Sequence, residues 1–369
     1  MKKIKIGVIG CGIISEHYLN RLTNSFEMLE VKACSDLDFE RAKKRSEQFN
    51  IENTYTVDEI LSDQDIDIIV NLTIPEAHGE VCLKALNAGK HVYVEKPLSI
   101  TREEAKQILS LAKDKNLLVG GAPDTFLGGG IQTCRKLIDD GWIGKPIAAN
   151  AFMLTSGPET WHPDPEFYYK HGAGPLFDMG PYYLTALVSL LGPVEKVFAS
   201  QKITFPERTI TSTPKYGQKI NVEVPTYSSG ILNFKNGVIG NLITSFDVWG
   251  TRLPSIEIYG SEGTLIVPDP NTFGGPVLIR RMGSNEWSNI PLLYGFADSY
   301  RGIGIADMAC AIISDRKHRA NVELAYHVLD IMHGFNDSAA SDMPHIIEST
   351  CERPAAFPVG LSERNLDLS

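Results

Sequence analysis

Glu95-Lys96-Pro97 follows the apolar run His91–Val94 and puts a lysine where a strand ends. Pro97 drives Lys96 toward extended geometry. A lysine held in a crevice there is partly desolvated and gives up its proton more readily than one in water. It can then take or return the proton of a bound hydroxyl group. Taken alone, a lysine at a strand end is more often a surface charge.

A second feature is Gly10-Cys11-Gly12-Ile13-Ile14-Ser15, set between the β-rich run Ile4–Ile9 and a helical pattern over 14–22. The first glycine permits a tight turn. The second lets the backbone approach a pyrophosphate at a positive helix N-terminus. Gly10, Gly12, Ile13 and Ile14 are the cofactor-binding candidates of this loop. The third position holds Ser15, at some cost in helix–strand closeness. Asp36 ends the next strand and can accept hydrogen bonds from an adenosine ribose. It repels a 2′-phosphate and no arginine follows it directly, so NAD is the expected cofactor and NADP is less favoured.

Three further groups are candidates. Thr73, Pro75 and His78 follow the apolar run 66–72, whose end flanks the ligand crevice of a doubly wound sheet. They contact the pyrophosphate or the nicotinamide-side ribose, or His78 caps a helix at the surface. Asp124 and Thr125 follow the last strand of the series and can meet the nicotinamide or the substrate. Trp161-His162-Pro163 is an aromatic loop, either a loop anchor or a cleft wall on which a sugar stacks. No spacing specifies a metal, and no GxSxG elbow or Cys/His dyad is legible.

The elements that must position these residues fall into two patterns. Up to residue 121, short apolar runs alternate with helical stretches, which implies βαβ units and a doubly wound parallel sheet, a Rossmann domain over 1–122. Beyond it come a long strand, Pro146–Leu154, and an apolar helix over 176–191. Strands dominate 194–279, with Lys235-Asn236-Gly237 marking a hairpin, and two helices follow. Residues 123–369 are expected to form an α+β domain on a large, mainly antiparallel open sheet.

Composition narrows the classes. The 369 residues carry 35 basic and 45 acidic side chains, a net charge of −10, which argues against a sequence-independent nucleic-acid binder. Six cysteines without a CxxC pair fit a reduced, cytoplasmic protein. The first apolar run breaks at Gly10, too short for a signal peptide, and no stretch approaches the roughly 20 apolar residues of a membrane span.

Gly10-Cys11-Gly12 with Asp36, then Glu95-Lys96-Pro97, then Gly172-Ala173-Gly174-Pro175-Leu176-Phe177-Asp178-Met179-Gly180, resembles the Gfo/Idh/MocA family of sugar and polyol oxidoreductases. The resemblance runs from Ile4 to about residue 313. It implies a Rossmann domain and a C-terminal α/β domain whose open sheet lines the substrate cleft. It makes Lys96 the catalytic lysine, with Glu95 orienting it or the cofactor, and has Asp178 bind the reacting hydroxyl. The family often places histidine four residues after that aspartate; here it is Tyr182, as in the branch with glucose–fructose oxidoreductase and the dihydrodiol/xylose dehydrogenases. Asp178 and Tyr182 share a helix face, provided Pro181 does not delay or kink the helix. A phenol, with an ordinary pKa of ~10, is a weaker base than imidazole, so the acid/base role falls to Lys96, Tyr182 or both.

The expected function is hydride transfer between NAD(P) and a hydroxyl or carbonyl carbon of a sugar, polyol or derivative. The alternatives are a non-catalytic dinucleotide sensor and an NAD-assisted glycosidase. A homodimer or homotetramer through the C-terminal sheet follows from the resemblance. Neither nucleic acid nor membrane is an expected partner.

Overall fold

The computed structural model describes residues 3–361. The elements run β1 (Ile4–Ile9), α1 (Ile13–Asn24), β2 (Leu29–Ser35), α2 (Phe39–Phe49), β3 (Asn53–Thr54), α3 (Val57–Ser62), β4 (Ile68–Asn71), α4 (Pro75–Asn87), β5 (His91–Val94), α5 (Arg102–Asp114), β6 (Val119–Gly121) and α6 (Gly129–Asp139). There follow β7 (Pro146–Leu154), α7 (Gly174–Leu191), β8 (Val194–Lys202), β9 (Glu207–Thr209), β10 (Lys219–Asn221), β11 (Tyr227–Phe234), β12 (Ile239–Ser245), β13 (Ile256–Gly260), β14 (Gly263–Val267), β15 (Val277–Arg281) and β16 (Ser288–Ile290). Last come α8 (Ile303–Ser314), α9 (Val322–Ser341) and β17 (His345–Ile346).

Among the described residues the chain divides into two compact units, one of 3–132, 293–326 and 354–361, the other of 133–292 and 327–353. These units are discontinuous in sequence, where the expectation was one cut at 122. Residues 293–326 return to the first unit because β6 needs a neighbour. Gly121 N donates to Ala320 O at 3.0 Å, and Gly120 bridges Asn321. Arg319 then holds the carbonyls of Ala355 and Ala356, and Phe357 N donates to Gln132 Oε1 at 2.9 Å. Such long-range pairings leave no local trace in a sequence.

The first unit contains a six-stranded sheet in the order β3-β2-β1-β4-β5-β6, parallel throughout. Its central strands are apolar on both faces, as helices on both sides require. In α1, Ser15, Tyr18, Leu19 and Leu22 form the buried stripe expected of a surface helix.

The second unit has a nine-stranded sheet in the order β16-β15-β14-β13-β7-β12-β11-β8-β17. Only the β7–β12 pair is parallel among these strands, so the sheet is mixed but mainly antiparallel. Helix α7 packs on β7, β11 and β12. It continues through Pro181, so Asp178 and Tyr182 do lie one turn apart on an unbroken helix. Helix α9 contributes Phe335, which seats over Gly230 of β11, where a side chain would collide with its ring. The hairpin at 235–237 forms as read, with Gly237 at φ 87°. Strands β9 and β10 pair only with each other. All six cysteines are buried and none forms a disulfide. Among the described residues no helix is long and apolar enough to cross a membrane.

Candidate active site

The strands of the parallel sheet end on the loops that hold the candidate residues of the first unit. At the end of β1, Gly10 adopts φ 100°, and a Cβ there would lie 2.6 Å from the Leu72 carbonyl. Glycine is required twice over, by conformation and by the close approach of the loop after β4. Gly12 differs. Its φ of −70° suits any residue, and nothing lies within 4 Å of where its Cβ would be. The room at Gly12 is not used by the chain, and it opens at the N-terminus of α1, where free amides favour an anion. Ser15 is buried and donates to Gly12 O at 2.6 Å, so the hydroxyl has a local partner.

Asp36 anchors the same loop. Its Oδ2 accepts Cys11 N at 2.7 Å and its Oδ1 accepts Asp38 N at 2.9 Å. The sequence showed no arginine directly after Asp36, but Arg41 reaches back from α2 to 3.5 Å of Oδ1. Ile13, Leu37 and Ile74 stand exposed at the ends of β1, β2 and β4, Leu37 at 99%. These apolar side chains fit the flat faces of a dinucleotide better than they fit water. Leu37 and Ile74 were missed because single apolar residues in loops carry no pattern.

His78 is neither a surface cap nor exposed. It is buried, with Nδ1 2.6 Å from Pro97 O and Nε2 3.1 Å from Thr73 O. Burial holds its pKa below the ordinary value. It therefore ties the loop after β4 to the loop after β5. Pro75 occupies the first turn of α4, where its missing N–H costs nothing. Buried Asn71 completes the loop, accepting Thr73 Oγ1 at 2.7 Å and donating to His78 O at 3.1 Å. An asparagine inside an apolar run was the available signal.

Lys96 is half-buried at the end of β5. Its amide donates to Glu95 Oε2 at 2.9 Å, and the next carbonyl, of Pro97, faces His78. Glu95 is buried, and its Oε1 accepts the hydroxyl of fully buried Tyr18 at 2.7 Å. Asp124 and Thr125 lie in the interior. Asp124 Oδ2 accepts Gly302 N at 2.8 Å and Gly304 N at 3.1 Å, capping α8, while Oδ1 has no partner among the described residues. Burial pushes its pKa up to about 6, although the Arg301 charge and the two amides pull it back.

In the second unit Asp178 is half-buried and Tyr182 buried on α7. Trp161 is exposed and half-buried His162 beside it packs edge-on against Trp161, Phe167 and Tyr168. Among the described residues no group of three His, Cys, Asp or Glu is placed to hold a metal.

This arrangement can be set against known proteins. Residues 4–121 match the model of an oxidoreductase family with an NAD-binding Rossmann fold, GFO/IDH/MocA, and residues 131–266 match that family's C-terminal domain. The chain belongs to the Gfo/Idh/MocA family. An uncharacterized oxidoreductase of Schizosaccharomyces pombe is 30% identical over 250 residues, 63% of this chain and 66% of that one. The inositol 2-dehydrogenase/D-chiro-inositol 3-dehydrogenase of Lacticaseibacillus casei is 34% identical over 152 residues, 40% of this chain and 44% of that one. The chain thus spans about half to two thirds of the length of these curated relatives. Levoglucosan dehydrogenase solved with NADH and L-sorbose shares the fold, with TM-score 0.81, 22% identity, and 95% of this chain and 100% of that one covered. The Rossmann unit of this Gfo/Idh/MocA protein is accordingly an NAD-binding one.

Two substitutions separate the glycines. Gly10→Ala should cost about 3 kcal/mol or more of stability through its positive φ and the backbone clash. Gly12→Ala should cost at most about 1 kcal/mol, as a cap change, yet weaken NADH binding about tenfold. Fluorescence titration with NADH reads the second effect, and an unchanged affinity would remove Gly12 from the cofactor site.

Asp124 yields a pH test. Its folded pKa lies above the unfolded value, so the folded state holds the proton longer. Stability contributed by that proton is complete below pH ~4 and is lost as pH rises through about 6. Relative to the wild type, Asp124→Asn should gain about 3 kcal/mol of stability between pH 4 and 6.5. Denaturation midpoints that track in parallel across this window would contradict the raised pKa.

Proposed function

We propose that the protein is an NAD-dependent dehydrogenase or reductase of a cyclic sugar, polyol or sugar derivative, with Lys96 as its acid/base. One observation carries the reading: the backbone on both sides of Lys96 is fixed by buried side chains, at the strand edge where the dinucleotide loop lies. Family membership and the names of the relatives, which act on inositol and levoglucosan, support the substrate class.

When bound, the dinucleotide supplies the hydride acceptor or donor. The chain supplies the rest. Gly12, Ile13 and Ile14 present amides to the pyrophosphate, whereas Gly10, whose own amide donates to Ser35 O at 2.9 Å, serves by turning the loop; Asp36 takes the ribose hydroxyls and disfavours a 2′-phosphate. Thr73, Pro75 and Glu95 shape the crevice, and His78 acts through Thr73 and Pro97. Lys96 Nζ takes the hydroxyl proton during oxidation and returns it during reduction. The Asp178 carboxylate accepts a substrate hydroxyl, and the Tyr182 hydroxyl donates to the carbonyl oxygen or joins the proton transfer. Trp161 and His162 contact the substrate. Asp124 and Thr125 are buried, and Asp124 acts by holding the start of α8 rather than by touching a ligand. The free thiol chemistry of six cysteines fits a reducing compartment such as the cytoplasm.

Turnover of aldoses, polyols, inositols and keto-sugars with NAD+ or NADH, read at the NADH absorbance, tests the reading. Lys96→Ala should lower kcat at least ~100-fold while NADH binding persists. Full activity in that variant would end the lysine mechanism, and tight NADH binding without any turnover would favour a sensor.

The same proposal includes self-association through the nine-stranded sheet. Its outward face carries the cross-strand pair Phe198 and Ile231 and, nearby, Ile239, all exposed. A hydrogen-bonded row, Asn241 to Asn150 to Tyr259 to Glu257, crosses the same face. Apolar side chains grouped around a satisfied polar row suit a second copy of the sheet. The mass in solution should be that of a dimer or tetramer and fall to a monomer in Phe198→Glu/Ile231→Lys; a monomeric wild type at micromolar concentration would refute it.

A further inference from the structure

Arg208 of β9 is buried between two carboxylates. Nη1 pairs with Glu159 and Nη2 with Asp247, and the exposures of the three side chains are 7%, 8% and 6%. Nη2 also donates to Phe246 O at 3.0 Å. The second oxygen of Glu159 accepts the Tyr169 hydroxyl, and that of Asp247 accepts Thr226 Oγ1 at 2.8 Å. Taking these charges out of water is costly, and the return is geometric where the groups are met: both carboxylates and both Nη atoms are, and Nε alone of the guanidinium has no partner among the described residues. The geometry fixed here is that of two loops, one after β7 and one after β12. The first is also held at Glu159 O by the amides of Thr211 and Ser212, and Val248 N in the second donates to Thr155 O at 2.9 Å.

Each carboxylate sits two residues before a tryptophan. Trp161 follows Glu159 and is 65% exposed; Trp249 follows Asp247 and is 90% exposed. Exposed indoles on slack loops would need no explanation. Indoles on loops fixed by a buried ion cluster are pre-ordered for contact, so a ligand need not supply the ordering entropy. His162 adds a polar edge beside Trp161. Its Nδ1 accepts Asp164 N at 3.0 Å, which leaves Nε2 to carry the proton in the neutral ring.

We propose that Trp161 and Trp249, positioned by Arg208 through Glu159 and Asp247, form a stacking subsite for a sugar ring that does not itself react. The inference rests on the reading of the protein as a sugar dehydrogenase. A reacting ring needs convergent, desolvated polar groups. The two indoles offer broad apolar faces open to solvent, which match the C–H face of a pyranose held by stacking. The substrate class is therefore a glycoside or disaccharide rather than a single free ring.

The test uses cellobiose, maltose and lactose against glucose, galactose and myo-inositol. Tryptophan emission is titrated without nucleotide, and kcat/KM is measured with NAD+. At least one disaccharide should quench emission and react with higher kcat/KM than its component monosaccharide. The disaccharide-to-monosaccharide ratio of kcat/KM should fall about tenfold in Trp161→Ala and in Trp249→Ala. Arg208→Lys loses the two-pronged fork and should shift the ratio the same way, with circular dichroism confirming the fold. The subsite is overturned if no disaccharide quenches, if neither tryptophan variant changes the ratio, or if Trp249→Ala changes only the mass in solution. Indole-dependent binding of disaccharides with no turnover of any sugar would keep the subsite and end the dehydrogenase reading. Turnover with a ratio indifferent to both indoles would do the reverse.

Discussion

Lys96 is held through its backbone. Glu95 takes its amide, and His78 meets the carbonyl that follows it. Both clamps are buried, so each must be satisfied on its far side as well. Tyr18 from α1 does this for Glu95, and Thr73 O for His78. Losing the Tyr18 hydroxyl would strip a buried carboxylate of a donor, at about 1–3 kcal/mol. The same edge is tied at Gly10, whose turn lies against the Leu72 carbonyl. The ends of β1, β4 and β5 are thus bound to one another by contacts that admit little substitution. In doubly wound sheets the ligand crevice lies at this edge. Rigidity at such an edge suits any chemistry that tolerates little error in distance.

Much of this was legible, for identifiable reasons. Strand and helix alternation in the first unit follows from period and turn chemistry, which are local. The loop Gly10–Gly12 could be read because a strand precedes it and a helix follows. Lys96 could be placed at a strand end by Pro97. What stayed hidden depends on groups far apart in sequence. Nothing near His78 shows that both its nitrogens face carbonyls, one of them nineteen residues away. Arg41 was too far along for an inspection that stopped beside Asp36. Asp124 looked like a ligand contact because it follows a strand, yet its partners are amides at Gly302 and Gly304. The return of 293–326 to the first unit rests on the same kind of distant pairing, on a larger scale.

The net charge of −10 also reads differently once the acids are located. Composition treats them as surface charge. Glu95, Asp124, Glu159 and Asp307 are buried, and each works as an anchor. Asp307 accepts Arg319 N at 2.7 Å and pairs with Arg316 and Arg319. Glu159 leans on Arg208, and Glu95 on a phenol and an amide. Asp124 has two amides on one oxygen and none on the other, and burial pushes its pKa up to about 6. Amides stabilise a carboxylate less completely than a paired guanidinium in the same low dielectric. A buried acid that is incompletely met, set in the loop after β6, couples the local structure to protons over a range where exposed aspartates are already ionised. Composition therefore counts as solvation what is partly architecture, and the neutral backbone amides at the start of α1 do not enter the count at all.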